Sequence, residues 1–600
     1  MNNITKYLEK YHNDRWRVDV NTDLNGKNLI PLSFNHKLNF YHTQSLNLGS
    51  LPLKANNLLN IICCQSNKII DSRSEIPLYK RNMESFHNII CHIGVGGFYR
   101  SHQAFYTHKL LMSPPKVMDG GNGHRWAYIG IGLMGWDNKI KNVMTQQDCL
   151  FTVTTRSIES TQNTVVGSMI DFIHVLSKDS DQIAVERLAH PTTKIVSLTI
   201  TEKGYCLTVD GKLDLNNELI KHDLENSEDR TYSAVGLIVK ALRIRRLRGI
   251  GAFTVLSCDN LPGNGYLTKT MVIGFMNALC TRHGNGLEND NQSLRRWIIN
   301  NVKFPNTMVD RITPATKPSE DNDEFSDNIR KFVKEKYCIE DQWPVIAESY
   351  NQWIIEDDFV NGNRPQWDLI SDANILFVKD VHPYEIMKMR LLNGGHSALS
   401  YVSYLMGYKF LDEAMEDVLV QSLLKAFFKE QVSTLLPISG VDFTVYQTDL
   451  VKRFSNPFIK DSVLRIAEDG SNKILATMRD SALENIDNGR SVKVFCFVIA
   501  TWIRYLCAFD ESGKDIPIKD TSPAKVNMMT QKARSIFMVE DITFPKISID
   551  FSSSQEKIED FLRVILGNEI ADCKIIVNDI QYFISKLCVS DIKSVLKDES

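Results

Sequence analysis

Four short runs, Ile89–Ile93, Trp126–Ile131, Lys194–Ile200 and Ala252–Cys258, are apolar almost throughout. They lack the polar–apolar alternation of a strand with one wet face, so each reads as a strand covered on both faces. Amphipathic segments of helical length separate them. That order predicts a Rossmann-like doubly wound parallel sheet over residues 86–378, an α/β domain. After His382-Pro383 the pattern changes. Pro383 suits the first position of a helix and Glu385 its first turn. Helical periodicity then dominates, in Ala414–Lys429, Ser491–Leu506 and Glu559–Leu566, and predicts a mostly α-helical domain over residues 379–600. A chain of 600 residues is too long for one core, which agrees with two domains. Residues 1–50, polar and rich in Asn and His, read as a loosely ordered extension or a small docking module. Residues 51–85 lead into the first strand.

The charge balance narrows the function. With 69 basic and 72 acidic residues, the chain has no basic excess to favour nucleic acid or an anionic membrane. The most apolar stretch, Val494–Ile503, is about half the length of a membrane span. Lys493 and Arg504 flank it, so a core helix is expected. Twelve cysteines are scattered without a CxxC pair, which argues for buried thiols in a reducing compartment and against a zinc knuckle. The first residues show no basic segment followed by an apolar one, so no secretory signal and a cytoplasmic protein are expected. No heptad seam stands out, and a monomer is expected.

The segment from Ile89 to His102 reads as strand, glycine turn and helix start. Gly94 permits a tight turn, and Gly96 lets the backbone approach a pyrophosphate, to which Arg100 adds a cation. Tyr99 stands where the dinucleotide fingerprint has its third glycine, so the motif alone reads equally as a structural turn. The second strand ends close to Asp137. A carboxylate there can accept hydrogen bonds from a ribose and repel a 2′-phosphate, favouring NAD over NADP. Asp137 lies 43 residues beyond Gly94, and the loop Asp119-Gly-Gly-Asn-Gly123 reads as an insertion behind that spacing. Glu202 and Asn260 fall at the carboxyl ends of later strands, where α/β sheets collect ligands, although either also suits a turn. Asp310 beside Arg311 reads as a site pair or as a structural ion pair.

Chemistry concentrates in Lys388-Met-Arg-Leu-Leu-Asn393-Gly-Gly-His396. At about 100° per residue, His396 lies about 80° round from Lys388 and Asn393 about 140°, so all three share one broad face. An amine that loses a proton, an amide donor and a polar anchor are what alcohol–ketone chemistry needs. The lysine must be tuned down from its ordinary pKa of ~10.4 to act as a base. Gly394 and Gly395 each cost about 1 kcal/mol in a helix relative to Ala. Their pairing suggests that cofactor or substrate packs against bare backbone. His102 and His108 stand six residues apart with no HExxH or cysteine cluster, so no metal is expected and His102 reads as structural.

These stretches, together with Gln147–Phe151, Ser197–Cys206, Phe253–Gly265, Phe304–Pro314, Glu356–Gly362, Arg453–Pro457 and Asp469–Lys473, resemble the polyol-specific long-chain dehydrogenase/reductase family. The resemblance runs from about residue 85 to 590. It implies a metal-independent NAD enzyme that interconverts D-mannitol and D-fructose by hydride transfer at C2. It also implies Lys388 as catalytic base, Asn393 and Asn260 on the reacting oxygen, and His396 orienting the substrate. Glu202 and Glu385 fall on a proton path. Gly94, Val95, Gly96, Gly97, Phe98 and Arg100 fall on the cofactor turn, and Asp137 on the ribose acid. Asp310, Arg453 and Lys473 fall on polyol contacts. The family usually has His where Tyr99 stands, and Met387, Met389 and Arg390 differ from bacterial forms. The same chemistry on arabinitol, fructuronate or altronate stays open, because Arg453 or Lys473 could bind a carboxylate. So does a non-catalytic paralogue that binds NAD. The implied partner is a small polyol or ketose, with no nucleic acid and no membrane.

Overall fold

The structure is a computed structural model that describes residues 51–58, 60–61, 74–113, 125–177, 180–208, 210–225, 230–282, 287–537 and 551–599. The expected extension over residues 1–50 and the Asp119–Gly123 loop lie outside the described residues. Two compact units part between Phe377 and Val378.

The first unit is built on five parallel strands: β1 (Asn88–Ile93), β2 (Trp126–Gly132), β3 (Met169–His174), β4 (Thr193–Leu198) and β5 (Thr254–Ser257). Their spatial order is 3-2-1-4-5, the doubly wound arrangement. Four of the five are the apolar runs read from the sequence. Their side chains alternate between two buried layers. Ile89, Cys91 and Ile93 join Ala127, Ile129 and Ile131 on one face, against helix α3 (Ala234–Leu247) and helix α4 (Asn264–Arg282). Ile90, Tyr128, Ile195 and Leu256 join the other face, with Tyr106 on helix α1 (Gln103–Met112) and with Trp353 and Trp367. Both faces being dry is why these strands carry no polar alternation.

β3 is the strand that the sequence reading lacks. It lies at the sheet edge, with Ile170 half-buried and Asp171 exposed, so its apolar signal is weaker. Between helix α2 (Asp137–Gln146) and β3 the chain inserts a hairpin, Phe151–Arg156 with Thr161–Val166, on which Val345–Glu348 pairs in parallel. Thr307–Asp310 pairs antiparallel with Gln352–Glu356.

The second unit is helical. Helix α5 (His382–Lys388) opens it, with Pro383 in its first turn as expected. Met389–Asn393 forms a π turn, and helix α6 (Gly394–Leu405) continues from it. Around α6 pack helix α7 (Val418–Val432), helix α9 (Gly470–Ile474) and helix α10 (Lys493–Leu506). Helix α8 (Phe443–Phe454) follows α7 and packs on it. α10 contains the apolar stretch Val494–Ile503. It is buried from Phe495 to Leu506 and packs on helix α11 (Lys574–Leu587), so it is a core helix. No helix among the described residues is long and apolar enough to cross a membrane.

Candidate active site

In the first unit the site begins where β1 ends. Gly94 has φ 97°, the left-handed region open to glycine. A Cβ there would stand 2.1 Å from the carbonyl oxygen of Thr199, so glycine is what lets the ends of β1 and β4 meet. Beneath the turn lies His92, fully buried and stacked on Tyr99 at 3.8 Å. The Thr199 hydroxyl donates to the Gly94 carbonyl at 2.7 Å. With that proton committed, the network assigns the His92 proton to Nε2, 2.9 Å from Thr199 Oγ1, while Nδ1 accepts from Ser197 Oγ at 2.8 Å. Burial pushes the imidazole down to about 3, so the ring is a neutral strut. Tyr99 fills the space under the turn between His92 and Tyr128. A third glycine would leave that space empty. On the other side, a Cβ added at Gly96 would meet nothing within 4 Å, an open stretch of backbone that fits a pyrophosphate.

The neighbours of the turn divide by role. Val95 is buried under it and Phe98 stacks on the buried His102 ring at 4.8 Å, while Gly97 starts the following helix. Arg100 departs from the expected phosphate cation. The residue is 1% exposed, and its guanidinium lies over Phe151 and Trp343 and donates to the Trp343 carbonyl at 2.6 Å. It braces the turn from inside, because the aromatic lining and that carbonyl satisfy the cation within the fold.

Asp137 opens α2 just past the end of β2, beside the glycine turn in the sheet order. Its Oδ2 accepts from the Met134 amide at 2.9 Å, and partial burial pushes its pKa up against that bond. A Cβ on Gly132 would stand 2.7 Å from Asp137 Cβ, so the strand end is shaped around this residue. Glu202 and Asn260 are exposed past the ends of β4 and β5. Asp259, beside Asn260 in the same strand-end cluster but not among the site candidates, holds that edge together. Its carboxylate accepts from the amides of Ile200 at 3.0 Å and Thr201 at 2.9 Å and from the Tyr205 hydroxyl at 2.8 Å. It thereby fixes the short helix that carries Glu202. Asp310 is buried at its strand end. Arg311 serves backbone carbonyls, those of Ser101 at 2.5 Å and Glu348 at 3.1 Å.

In the second unit the π turn changes the geometry expected for Lys388, Asn393 and His396. A π turn takes in one residue more than an α turn, so the helix beyond it runs one residue short in register. Asn393 then stands to Lys388 as an α-helical i+4 neighbour, about 40° round, and His396 as i+7, about 20° to the other side. The broad face becomes a narrow stripe. Lys388 and Glu385, one turn earlier, are both buried. Among the described residues the Asn393 amide donates only to the weak acceptor Met389 Sδ, at 3.3 Å. His396 lies against the Phe454 ring at 4.5 Å, and its Nε2 is shielded with no hydrogen-bond partner among the described residues. Burial, then the cations Arg453, Arg465, Lys473 and Lys388, push this imidazole well below its ordinary value. Arg453 is buried on α8, and Lys473 on α9 donates to the Ile466 carbonyl at 2.9 Å. Burial and Arg465 lower the lysine's pKa.

The glycine pair has a different cause from the one expected. A Cβ on Gly394 would stand 2.9 Å from Phe427 Cζ, and one on Gly395 would lie 3.3–3.5 Å from Phe454, Leu424 and Phe428. The bare backbone receives helices α7 and α8, not a ligand. Gly394→Ala gains about 1 kcal/mol of helix propensity but overpacks against Phe427 by about 1–3 kcal/mol. The ligand-free protein should therefore lose roughly 1 kcal/mol in urea unfolding. A gain would mean that the glycine faces open space.

The sequence matches the mannitol dehydrogenase Rossmann domain over residues 88–369 and the mannitol dehydrogenase C-terminal domain over residues 380–582. It is 39% identical to the D-mannonate oxidoreductase of Escherichia coli over 471 residues, 78% of this chain and 90% of that protein. It is 38% identical to mannitol dehydrogenase 2 of Saccharomyces cerevisiae over 457 residues, 76% of this chain and 84% of that protein. The structure resembles Pseudomonas fluorescens mannitol 2-dehydrogenase, solved as a ternary complex with NAD and D-mannitol, with TM-score 0.71 and 33% identity over 92% of this chain and 99% of that one. Both domains matching in order, at such identity and coverage, place the chain in the mannitol dehydrogenase family.

Proposed function

We propose that this chain interconverts D-mannitol and D-fructose by hydride transfer at C2, with Lys388 as general acid and base. At the level of class it is an NAD-dependent polyol oxidoreductase. The observation that carries the finer reading is the stripe of Lys388, Asn393 and His396 across the π turn. The open backbone at Gly96 and the carboxylate of Asp137 would hold the dinucleotide. NAD, when bound, accepts the hydride from the alcohol carbon or returns it to the ketone.

The chain's own residues handle the proton and the orientation. Lys388 takes the hydroxyl proton in oxidation and gives it back in reduction. The Asn393 amide, barely engaged by a thioether, is available to donate to the alkoxide as charge develops. Such a donor is worth about 3–4 kcal/mol when removed. Asn260 is the second donor in this reading. His396 stays neutral, so Nε2 can bond a substrate hydroxyl without competing for the proton that Lys388 must take. Glu385, three residues before Lys388 on the same helix face, passes protons toward it, and Glu202 is assigned to the same proton path by the resemblance alone. Arg453, Lys473 and Asp310 contact the remaining hydroxyls.

The test is loss of NADH absorbance with D-fructose, and with fructuronate, tagaturonate and xylulose in parallel. Turnover of fructose alone supports the mannitol reading. A second reading has its own support: four cations gather around His396, and one relative is a D-mannonate oxidoreductase. A carboxylate-bearing hexonate would suit that charge. Turnover of fructuronate without fructose would move the substrate to that class.

Asp137 makes a separate prediction. A carboxylate facing a 2′-phosphate costs several kcal/mol, so NADH should be preferred over NADPH by about 100-fold in kcat/KM. Asp137→Ser should cut that ratio to about tenfold or less, chiefly by admitting NADPH. An unchanged ratio would remove Asp137 from the ribose site.

A further inference from the structure

The stripe of Lys388, Asn393 and His396 exists only while the extra residue stays within Met389–Asn393. If that turn relaxed to α geometry, everything beyond it would rotate by about 100° relative to Lys388. A π turn is intrinsically poorer than an α turn, so something must hold it. Arg390, inside the turn, makes a two-pronged pair with Glu484: Nη2 to Oε1 at 2.6 Å and Nη1 to Oε2 at 3.0 Å. Nη1 also donates to the Thr434 carbonyl at 2.8 Å, just past the end of α7. The arginine side chain is 11% exposed and the glutamate 45%, so water screens the pair from the glutamate side and its geometry, more than its charge, is what it contributes.

Glu484 is itself held. It lies on the helix Asp480–Asp487, which continues directly from a second π turn, Leu475–Arg479, and the two π turns pack against each other. The next residue, Asn485, is buried and donates to the Glu430 carbonyl at 3.1 Å while accepting from Ser433 Oγ at 2.7 Å. The helix carrying Glu484 is therefore tied to α7 independently of Arg390. Downstream, Phe427, Phe428 and Phe454 seat Gly394 and Gly395 and fix where α6 begins.

We propose that Arg390 and Glu484 are positioning residues: their two-pronged pair locks the π register that lines up Lys388, Asn393 and His396. This rests on the assignment of those three residues to the chemistry. Neither Arg390 nor Glu484 is given contact with substrate or cofactor. A planar guanidinium matches a carboxylate in two parallel bonds, which fixes orientation as well as distance. A lysine could hold the charge but not the angle.

The experiment measures kcat, KM, NADH affinity by fluorescence titration and the primary deuterium isotope effect with 2-deuterated polyol. Arg390→Leu should lower kcat by about 100-fold and Glu484→Gln by about tenfold, as misplacement of reacting groups does. NADH affinity should stay unchanged, because the cofactor turn belongs to the other unit, and the isotope effect should rise as hydride transfer becomes limiting. Arg390→Glu combined with Glu484→Arg should recover activity above either single variant. If Arg390→Leu does not fold, Glu484→Gln and the exchanged pair decide. Both folded single variants within about twofold of the parent in kcat would overturn the proposal. Lys388→Ala separates the two layers. If it is inactive while the Arg390 and Glu484 variants are fully active, the lock alone fails. If it is fully active, the lock has nothing to align and both readings fall.

Discussion

Lys388→Ala should lower kcat for ketose reduction by roughly 10³-fold while leaving NADH affinity where it was. The cofactor turn, with its His92–Thr199 strut and open Gly96, belongs to the first unit and does not depend on this side chain. On the proposed roles Asn393 and His396 still bind the substrate, so KM should move less than kcat, the signature of an interaction made chiefly in the transition state. Small primary amines should restore part of the activity, because the role proposed for Lys388 is that of a proton acceptor and not a scaffold. The pH dependence offers a second check. His396 is held neutral by burial and by four cations, so it supplies no titration in the working range. The rate of alcohol oxidation should therefore rise with pH along a single limb, as Lys388 loses its proton, and that limb should vanish in Lys388→Ala. A variant with the parent's rate would remove the lysine from the chemistry.

What the sequence revealed follows from what burial does to a pattern. β1, β2, β4 and β5 were legible because strands covered on both faces are apolar without alternation. β3 was missed because an edge strand with an exposed Asp171 is short of that signal. Lys388, Asn393 and His396 stood out by chemical type, but their angles did not. Helical arithmetic at 100° per residue presupposes one kind of turn, and nothing in Met-Arg-Leu-Leu-Asn announces i→i+5 bonding. Arg100 and the glycine pair were misread for one reason. A sequence tells what a residue can bind, and the fold supplied protein partners, Trp343 for the guanidinium and Phe427 for Gly394. The roles of Asp259 and Glu484, which hold the strand edge and the π turn, could not be read because each acts through partners distant in the chain.

Glu430 should make the second unit lose stability as pH rises, against the usual behaviour of a carboxylate. It lies buried on α7, and its two oxygens accept from the amides of Val494 and Phe495 at the start of α10, each at 3.1 Å. Those bonds and the helix N-terminus favour the charged form, but desolvation outweighs them and lifts the group to about 7. Below about pH 4.5 the group is protonated in both folded and unfolded chains and contributes its full share. Between there and about 7 the unfolded chain ionises while the folded one stays protonated. The unfolded state then binds fewer protons, so stability falls, by about 3 kcal/mol in all. His92 and His108, held down to about 3 and about 4 by burial, act in the opposite sense, since they favour folding more as pH rises toward 6.5. The parent's own profile can therefore look flat, and the informative quantity is the difference from Glu430→Gln. That variant has no charge to bury, but its NH2 cannot accept from one of the two amides, so it should melt lower than the parent near pH 4 and gain on it between about 5 and 7, reaching or passing it by pH 8. Parallel melting curves across that range would mean that Glu430 ionises freely in the folded protein and that the two amides, not burial, set its state.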